Sequence, residues 1–305
     1  VSGEDGKRHF TVPKGWIRAP RTQFNVAVTN QRSYAARSLP LAELKAIATA
    51  TGASLNDIVL GICAGALRRY LLEYNALPQK PLVAAVPMSL REAGNTAACG
   101  NQVTMMLVSL ATDIEDPITR LKAIHDSANV GKKFTGCIKA AIPTDYPSFG
   151  APWFMSGLAS LYGRTRLADR LPPIANVAVS NVPGPQVPLY FAGARLAEWF
   201  PVSIPGHGIA LNITVQSYNG AVEFGLTACR RAVPDVADLG EYVVKEHRKL
   251  MALMVQAGMP APDAAPAPAM QPIATKPRRL PARKPRKHAI APKTKRAAAA
   301  QPLTH

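Results

Sequence analysis

The sequence predicts an α/β fold with a mixed β-sheet flanked by helices, and three observations carry that reading. Apolar side chains at i, i+3, i+4 and i+7 over residues 55–71 write an amphipathic helix. Short apolar runs bounded by turn residues, at about 82–88, 103–110 and 174–179, read as strands lying between helical stretches. The dipeptide Asn219-Gly220 joins two alternating apolar runs, 210–218 and 221–229, and fits a type I′ turn, because both central positions need a positive φ. Strands interleaved with helices, with one antiparallel hairpin added, make the sheet mixed.

Residues 1–20 carry Gly, Pro and mixed charge without periodicity and read as a linker or the stub of an upstream segment. A first helix is expected over about 40–51, with Leu41, Leu44, Ile47 and Ala48 on one face and Gly52 as its stop. Ser54 is placed to cap the second helix, whose stripe is wide enough for a buried one. A loop over 94–100 separates the first two strands, and Asp116-Pro117 then supplies a cap and first turn for a third helix. Residues 132–170, broken by Pro143, Pro147 and Pro152 and afterwards rich in Met, Trp and Leu, are assigned helix. The run Asn181-Val-Pro-Gly-Pro185 reads as the turn that closes the strand before it. A last amphipathic helix runs from about Asp235 to Gln256 and is ended by Gly258-Met-Pro260.

Nearly half of the 305 residues are hydrophobic, enough for a substantial core over 21–256. The net charge of +17 is unevenly placed, since residues 257–305 hold ten Lys/Arg against one acidic residue, Asp263. That tail alternates Ala, Pro, Lys and Arg, has little to bury, and is expected to be disordered. Cys63, Cys99, Cys137 and Cys229 are far apart and form no C-x-x-C pair, so reduced, mostly buried thiols are expected rather than a zinc cluster or a disulfide framework. Neither an apolar signal segment nor a run long enough to span a membrane stands out, so a cytoplasmic protein is expected. The first residue is Val rather than Met, which fits an alternative start codon or a fragmentary reading frame.

Spacing-defined chemistry is absent: there is no H-E-x-x-H, G-x-S-x-G, P-loop or EF-hand pattern. Gly206-His-Gly208 begins a G-x-G, but Leu211 stands where the next glycine of a dinucleotide site belongs. Four residues after each of the first five histidines stand Pro13, Asn129, Leu211, Met251 and Pro292, and His305 ends the chain, so no H-x-x-x-D occurs. No metal site and no resident cofactor are expected.

Five stretches in order resemble the C-terminal domain of the wax ester synthase/diacylglycerol acyltransferase family. They are Ser54-Leu-Asn-Asp-Ile-Val-Leu60, Ala84-Ala-Val-Pro-Met-Ser-Leu-Arg91, Gly100-Asn-Gln102, Ser180-Asn-Val-Pro-Gly-Pro185 with Pro188-Leu-Tyr-Phe-Ala-Gly-Ala194, and Leu211-Asn-Ile-Thr-Val215 with Ser217-Tyr-Asn-Gly220. The resemblance implies one half of a chloramphenicol-acetyltransferase-like, CoA-dependent acyltransferase fold, with acyl-CoA as co-substrate and a long-chain alcohol or diacylglycerol as acceptor in a tunnel between two halves. It places the general base in an H-H-x-x-x-D-G motif of the N-terminal half, upstream of these residues. A positioned base contributes typically about 10²–10⁴ in rate, so this chain alone is expected to be inactive or nearly so, and to need an N-terminal half carrying that histidine. The rival expectation is a non-catalytic partner or remnant domain.

The family's Asn-Asp motif falls on Asn56 and Asp57, which the resemblance makes supporting residues for activity. Read from the residues alone, Ser54-x-x-Asp57 is a capping-box pattern in the first turn of a helix. The two readings are compatible. Asn181, Pro183, Gly184 and Pro185 either reverse the chain or line the acyl-CoA passage. His207 is an ordinary loop histidine or, with Asn212, a polar lining residue. The basic tail suits an anionic membrane, at about 1 kcal/mol per Lys or Arg near the surface, and a peripheral place on the inner membrane or on lipid inclusions. Nucleic acid is the weaker alternative, because the tail offers no aromatic residue to stack on bases.

Overall fold

At the tip of the C-terminal hairpin Asn219 and Gly220 both adopt positive φ, 45° and 88°, as the turn type requires. The turn holds β7 (Leu211–Tyr218) against β8 (Ala221–Cys229) in antiparallel register, and the sheet grows outward from this pair. The computed structural model describes residues 18–89, 103–139, 165 and 169–258, all inside the compact unit Val1–Ala265. Before the hairpin come β1 (Arg32–Pro40), α1 (Leu41–Thr51), α2 (Leu55–Glu73), β2 (Val83–Ser89), β3 (Val103–Ser109), α3 (Pro117–Lys139) and β4 (Val177–Val182). A two-residue ribbon, β5 (Tyr190–Phe191) with β6 (Ala194–Arg195), precedes the hairpin, and α4 (Val236–Gln256) follows it.

The six long strands form one mixed sheet in the order β1-β8-β7-β4-β2-β3. β4 runs parallel to both β7 and β2, and the other neighbours are antiparallel. Side chains alternate across a strand, so one face of β7 and β8 presents Leu211, Ile213, Val215, Val222, Phe224, Leu226 and Ala228, all in the main core with α1, α2, α3 and α4. The other face presents Asn212, Thr214, Gln216, Glu223, Gly225 and Thr227, none of which joins that core. Among the described residues the helices thus pack on a single face over this half of the sheet. A small second cluster, Ala19, Val83, Ala85 and Ala175, lies on the far side at β2.

The first two helices match their sequence signals closely, down to Gly52 in the left-handed conformation at the end of α1. Three differences are instructive. The strand expected at 174–179 begins and ends three residues later, because Asn181 and Val182 still pair with Val215 and Gln216, and the turn starts only at Pro183. Ile174 is instead 74% exposed, while Asn176 turns inward to accept the Val83 N–H at 2.8 Å and to donate to the Pro20 carbonyl and Asn25 Oδ1. β1 and the β5–β6 ribbon had no sequence expectation at all. β1 is an edge strand of mixed polarity whose alternation is blurred by Ala and Arg. Of the helix assigned to 132–170, α3 carries the part through Lys139, and 140–164 lie outside the described residues, as do the 94–100 loop, most of the N-terminal stub and the tail from 259 onward. Cys63 and Cys229 are free and buried; Cys99 and the side chain of Cys137 lie outside the described residues.

Candidate functional site

The N-terminus of α2 is closed by a reciprocal capping box. Ser54 Oγ accepts the Asp57 N–H at 3.2 Å, while Asp57 Oδ2 accepts from the Ser54 N–H at 2.9 Å and from the Ser54 hydroxyl at 2.7 Å. The capping reading of Asp57 is therefore real. It is also incomplete, because the same oxygen lies 2.8 Å from Nδ1 of His125 on α3. With Nδ1–H donating to the carboxylate, Nε2 is left as an acceptor, and the Asn129 side-chain amide reaches it at 2.9 Å.

Asp57 is fully buried, and its Oδ1 has no hydrogen-bond partner among the described residues. Burial pushes its carboxyl up, yet the hydrogen bonds from His125 and Ser54, helped by the Lys132 cation, outweigh that and hold it below the ordinary carboxylate value. The carboxylate is thus kept ionised at the positive end of a helix. His125 is about a third exposed and opens onto a pocket of about 720 Å³ between the α1–α2 turn, α3 and the end of α4, with Ala53, Leu121, Lys122 and Met254 in its wall. A buried carboxylate orienting an imidazole beside a cavity is an arrangement suited to positioning or proton handling. Among the described residues no group of three or more His, Cys, Asp or Glu is placed to hold a metal ion.

The other sequence candidates are not gathered with this pair, nor all with one another. Asn181 is the penultimate residue of β4, and the turn after the strand packs on the hairpin end of β7, where the Gly184 N–H donates to Ser217 Oγ at 3.1 Å and the Pro185 carbonyl accepts the Asn219 N–H. His207 lies toward the opposite end, its Nδ1 accepting the Val28 N–H at 3.2 Å. Asn212, the second residue of β7, lies on the face away from the helices, with its amide 3.5 Å from the Ile204 carbonyl. Five residues of strand, about 17 Å at the usual rise, separate Asn212 from Ser217. Pro183 and Pro185 act here as chain-reversal residues, and Asn56 is half-buried beside Asp57 in the first turn of α2.

Sequence reasoning passed over His125. The search for an aspartate four residues beyond each histidine rejected it, whereas the informative signal was the asparagine found there instead. Residues i and i+4 share a helix face, so Asn129 backs His125 from within α3. No local pattern, however, links His125 to Asp57, which is 68 residues away.

Residues 99–251 match the model of the WS/DGAT C-terminal domain, and residues 7–59 match that of the wax ester synthase/diacylglycerol acyltransferase catalytic domain. The region read from sequence as one C-terminal domain therefore carries stretches of both. A putative diacylglycerol O-acyltransferase of Mycobacterium tuberculosis is 44% identical over 230 residues, 75% of this chain and 49% of that protein. A second from the same organism, a probable diacylglycerol O-acyltransferase, is 40% identical over 233 residues, 76% of this chain and 50% of that protein. The chain spans about half the length of the curated relatives it matches. Among solved structures, the wax ester synthase/diacylglycerol acyltransferase from Marinobacter aquaeolei VT8 superposes with a TM-score of 0.60 at 35% identity, over 78% of this chain and 52% of that one. The two family models, the curated relatives and the superposition agree, and the chain belongs to the wax ester synthase/diacylglycerol acyltransferase family.

Proposed function

We propose that this chain acts as the C-terminal half of an O-acyltransferase that moves a fatty acyl group from acyl-CoA to a long-chain alcohol or diacylglycerol. In that reaction the acceptor hydroxyl oxygen attacks the thioester carbonyl, the hydroxyl proton passes to a base, and the CoA thiolate leaves. These 305 residues contain no H-H-x-x-x-D-G, so the base is assigned to an N-terminal half. The present half supplies a wall of the substrate cavity, with Asn56 and Asp57 as supporting residues and with Asn181, Pro183, Gly184, Pro185, His207 and Asn212 as candidates for its lining.

The observation that carries the partner reading is the face of β7 and β8 turned away from the helices. It is crossed by residues 196–205, in which Val202 and Ile204 are 72% and 83% exposed, and the adjoining β5–β6 ribbon leaves Phe191 85% exposed. Apolar patches of this kind mark interaction sites. The test is association: an N-terminal half carrying the histidine motif, mixed with this chain, is expected to co-elute on size exclusion, and Ile204→Asp is expected to abolish co-elution without lowering the chain's melting temperature. Co-elution that Val202→Asp and Ile204→Asp both leave intact counts against this face as the contact.

The ten Lys/Arg of residues 257–305 are proposed to hold the protein to an anionic membrane surface near its lipid substrates. Sedimentation with anionic vesicles that is lost on removing residues 260–305 supports this. Tail-dependent binding to DNA without binding to anionic vesicles favours the nucleic-acid alternative.

A further inference from the structure

The segment over the outer face of the hairpin runs along β8 almost residue for residue. The Tyr218 hydroxyl anchors its start, donating to the Leu196 carbonyl at 2.9 Å while accepting the Leu189 N–H at 2.8 Å, and Trp199 packs edge-on against the Tyr218 ring at 6.1 Å. Pro201 then lies directly over Gly225. A Cβ at position 225 would stand 1.8 Å from the Pro201 carbonyl oxygen, so only glycine admits the crossing. The Tyr34 hydroxyl donates to that carbonyl at 3.2 Å, the Ser203 N–H points to Thr227 Oγ1 at 3.5 Å, and the Asn212 amide approaches the Ile204 carbonyl. Residues 196–205 are thus a strap held by a handful of hydrogen bonds, several of them long.

Beneath it lies Glu223, on the same face of β8 as Gly225 and Thr227. Although no helix among the described residues covers this face, Glu223 is only 1% exposed, and its Oε2 has no hydrogen-bond partner among the described residues. A buried carboxylate in that position is costly. The groups facing it are Ser38 and Tyr34 from β1, Gln216 from β7 and Glu198 from the strap. Burial pushes the Glu223 carboxyl up, Ser38 pulls it down by a hydrogen bond, and the Glu198 carboxylate pushes it up again, leaving it above its ordinary value.

We propose that residues 196–205 form a proton-controlled cover on the outer face of the sheet, seated while Glu223 is neutral and lifted when Glu223 ionises against Glu198. The closed strap binds the proton more tightly than the lifted one, so closure is fully favoured below the ordinary carboxyl value. It weakens as pH rises through the closed-state value, by up to about tenfold in the closing equilibrium per pH unit. Because the strap carries the exposed Val202 and Ile204, its position would set how that face is presented to a partner half. That consequence rests on the proposed function, whereas the movement itself is read in this chain alone.

The experiment follows acrylamide quenching of Trp199 between about pH 4.5 and about pH 8.5, in a chain carrying Trp16→Phe and Trp153→Phe. Quenching is expected to rise with pH in a single one-proton step. Glu223→Gln is expected to keep quenching at its low-pH level throughout, and Glu198→Gln to move the step to lower pH and to shrink it, because the carboxylate that raises the Glu223 value beneath the seated strap is no longer there. Far-UV circular dichroism checks that each variant is folded; should Glu223→Gln fail to fold, the shift in Glu198→Gln decides. Quenching that is flat with pH in the parent chain, or a step that survives in folded Glu223→Gln, overturns the proposal and leaves the acyltransferase reading untouched.

Discussion

One oxygen of Asp57, Oδ2, both caps α2 and accepts from His125 Nδ1 at 2.8 Å, so a single carboxylate oxygen ties the start of α2 to the middle of α3. Losing that carboxylate removes the acceptor from the Ser54 N–H and from the imidazole at once. Asp57→Ala is therefore expected to cost about 1–3 kcal/mol of stability, at or above the usual loss of a cap. His125→Ala should cost less, and the two together less than their sum. Urea denaturation of the two single variants and the double variant reads this coupling directly.

The pH dependence of stability follows from two groups whose folded-state values are depressed. Asp57 lies below its ordinary value of 3.8, so its contribution is present above that pH and is lost as pH falls toward its folded value. Burial pushes His247 below its ordinary 6.5, against the pull of Glu43, so the unfolded chain takes up this proton first and stability already declines on acidification below that pH. Melting temperature measured against pH should fall in both ranges for the parent chain. Asp57→Asn is expected to flatten only the more acidic part.

Arg120 and Glu246 form a buried ion pair between α3 and α4 at 3.1 Å, and the guanidinium also donates to the carbonyls of Ile114 and Glu115. Removing one partner strands the other charge, so Glu246→Ala is expected to cost about 3–5 kcal/mol. The paired replacement Arg120→Met with Glu246→Leu should cost far less than the sum of the single changes. Thermal melts of the three variants check this, and near-additive losses would show that the charges act separately.

What the sequence made legible depended on how local the physics was. Asn219-Gly220, Gly52 and the Ser54-x-x-Asp57 box are decided within a few residues, and each is found as expected. The extent of β4 was misjudged because its last two residues are strand only through parallel pairing with β7, more than thirty positions on. β1 is a strand because β8 supplies its partner, across nearly two hundred residues of intervening chain, and its own composition does not announce it. The site divides in the same way. Asp57 was found through its cap and its motif, whereas His125 acquires meaning only once α3 has packed beside α2, and Glu223 only once the strap has crossed above it.

As proposed, this half supplies structure and substrate contacts while the base resides in an N-terminal half. CoA release from a long-chain acyl-CoA, with hexadecanol or diacylglycerol as acceptor, tests this division in one assay with the purified chain alone and with an equimolar N-terminal half carrying the histidine motif. Background release is expected from the chain alone, and a gain of about 10²-fold or more in the mixture. Ester formation by the chain alone at the rate of the mixture would contradict it.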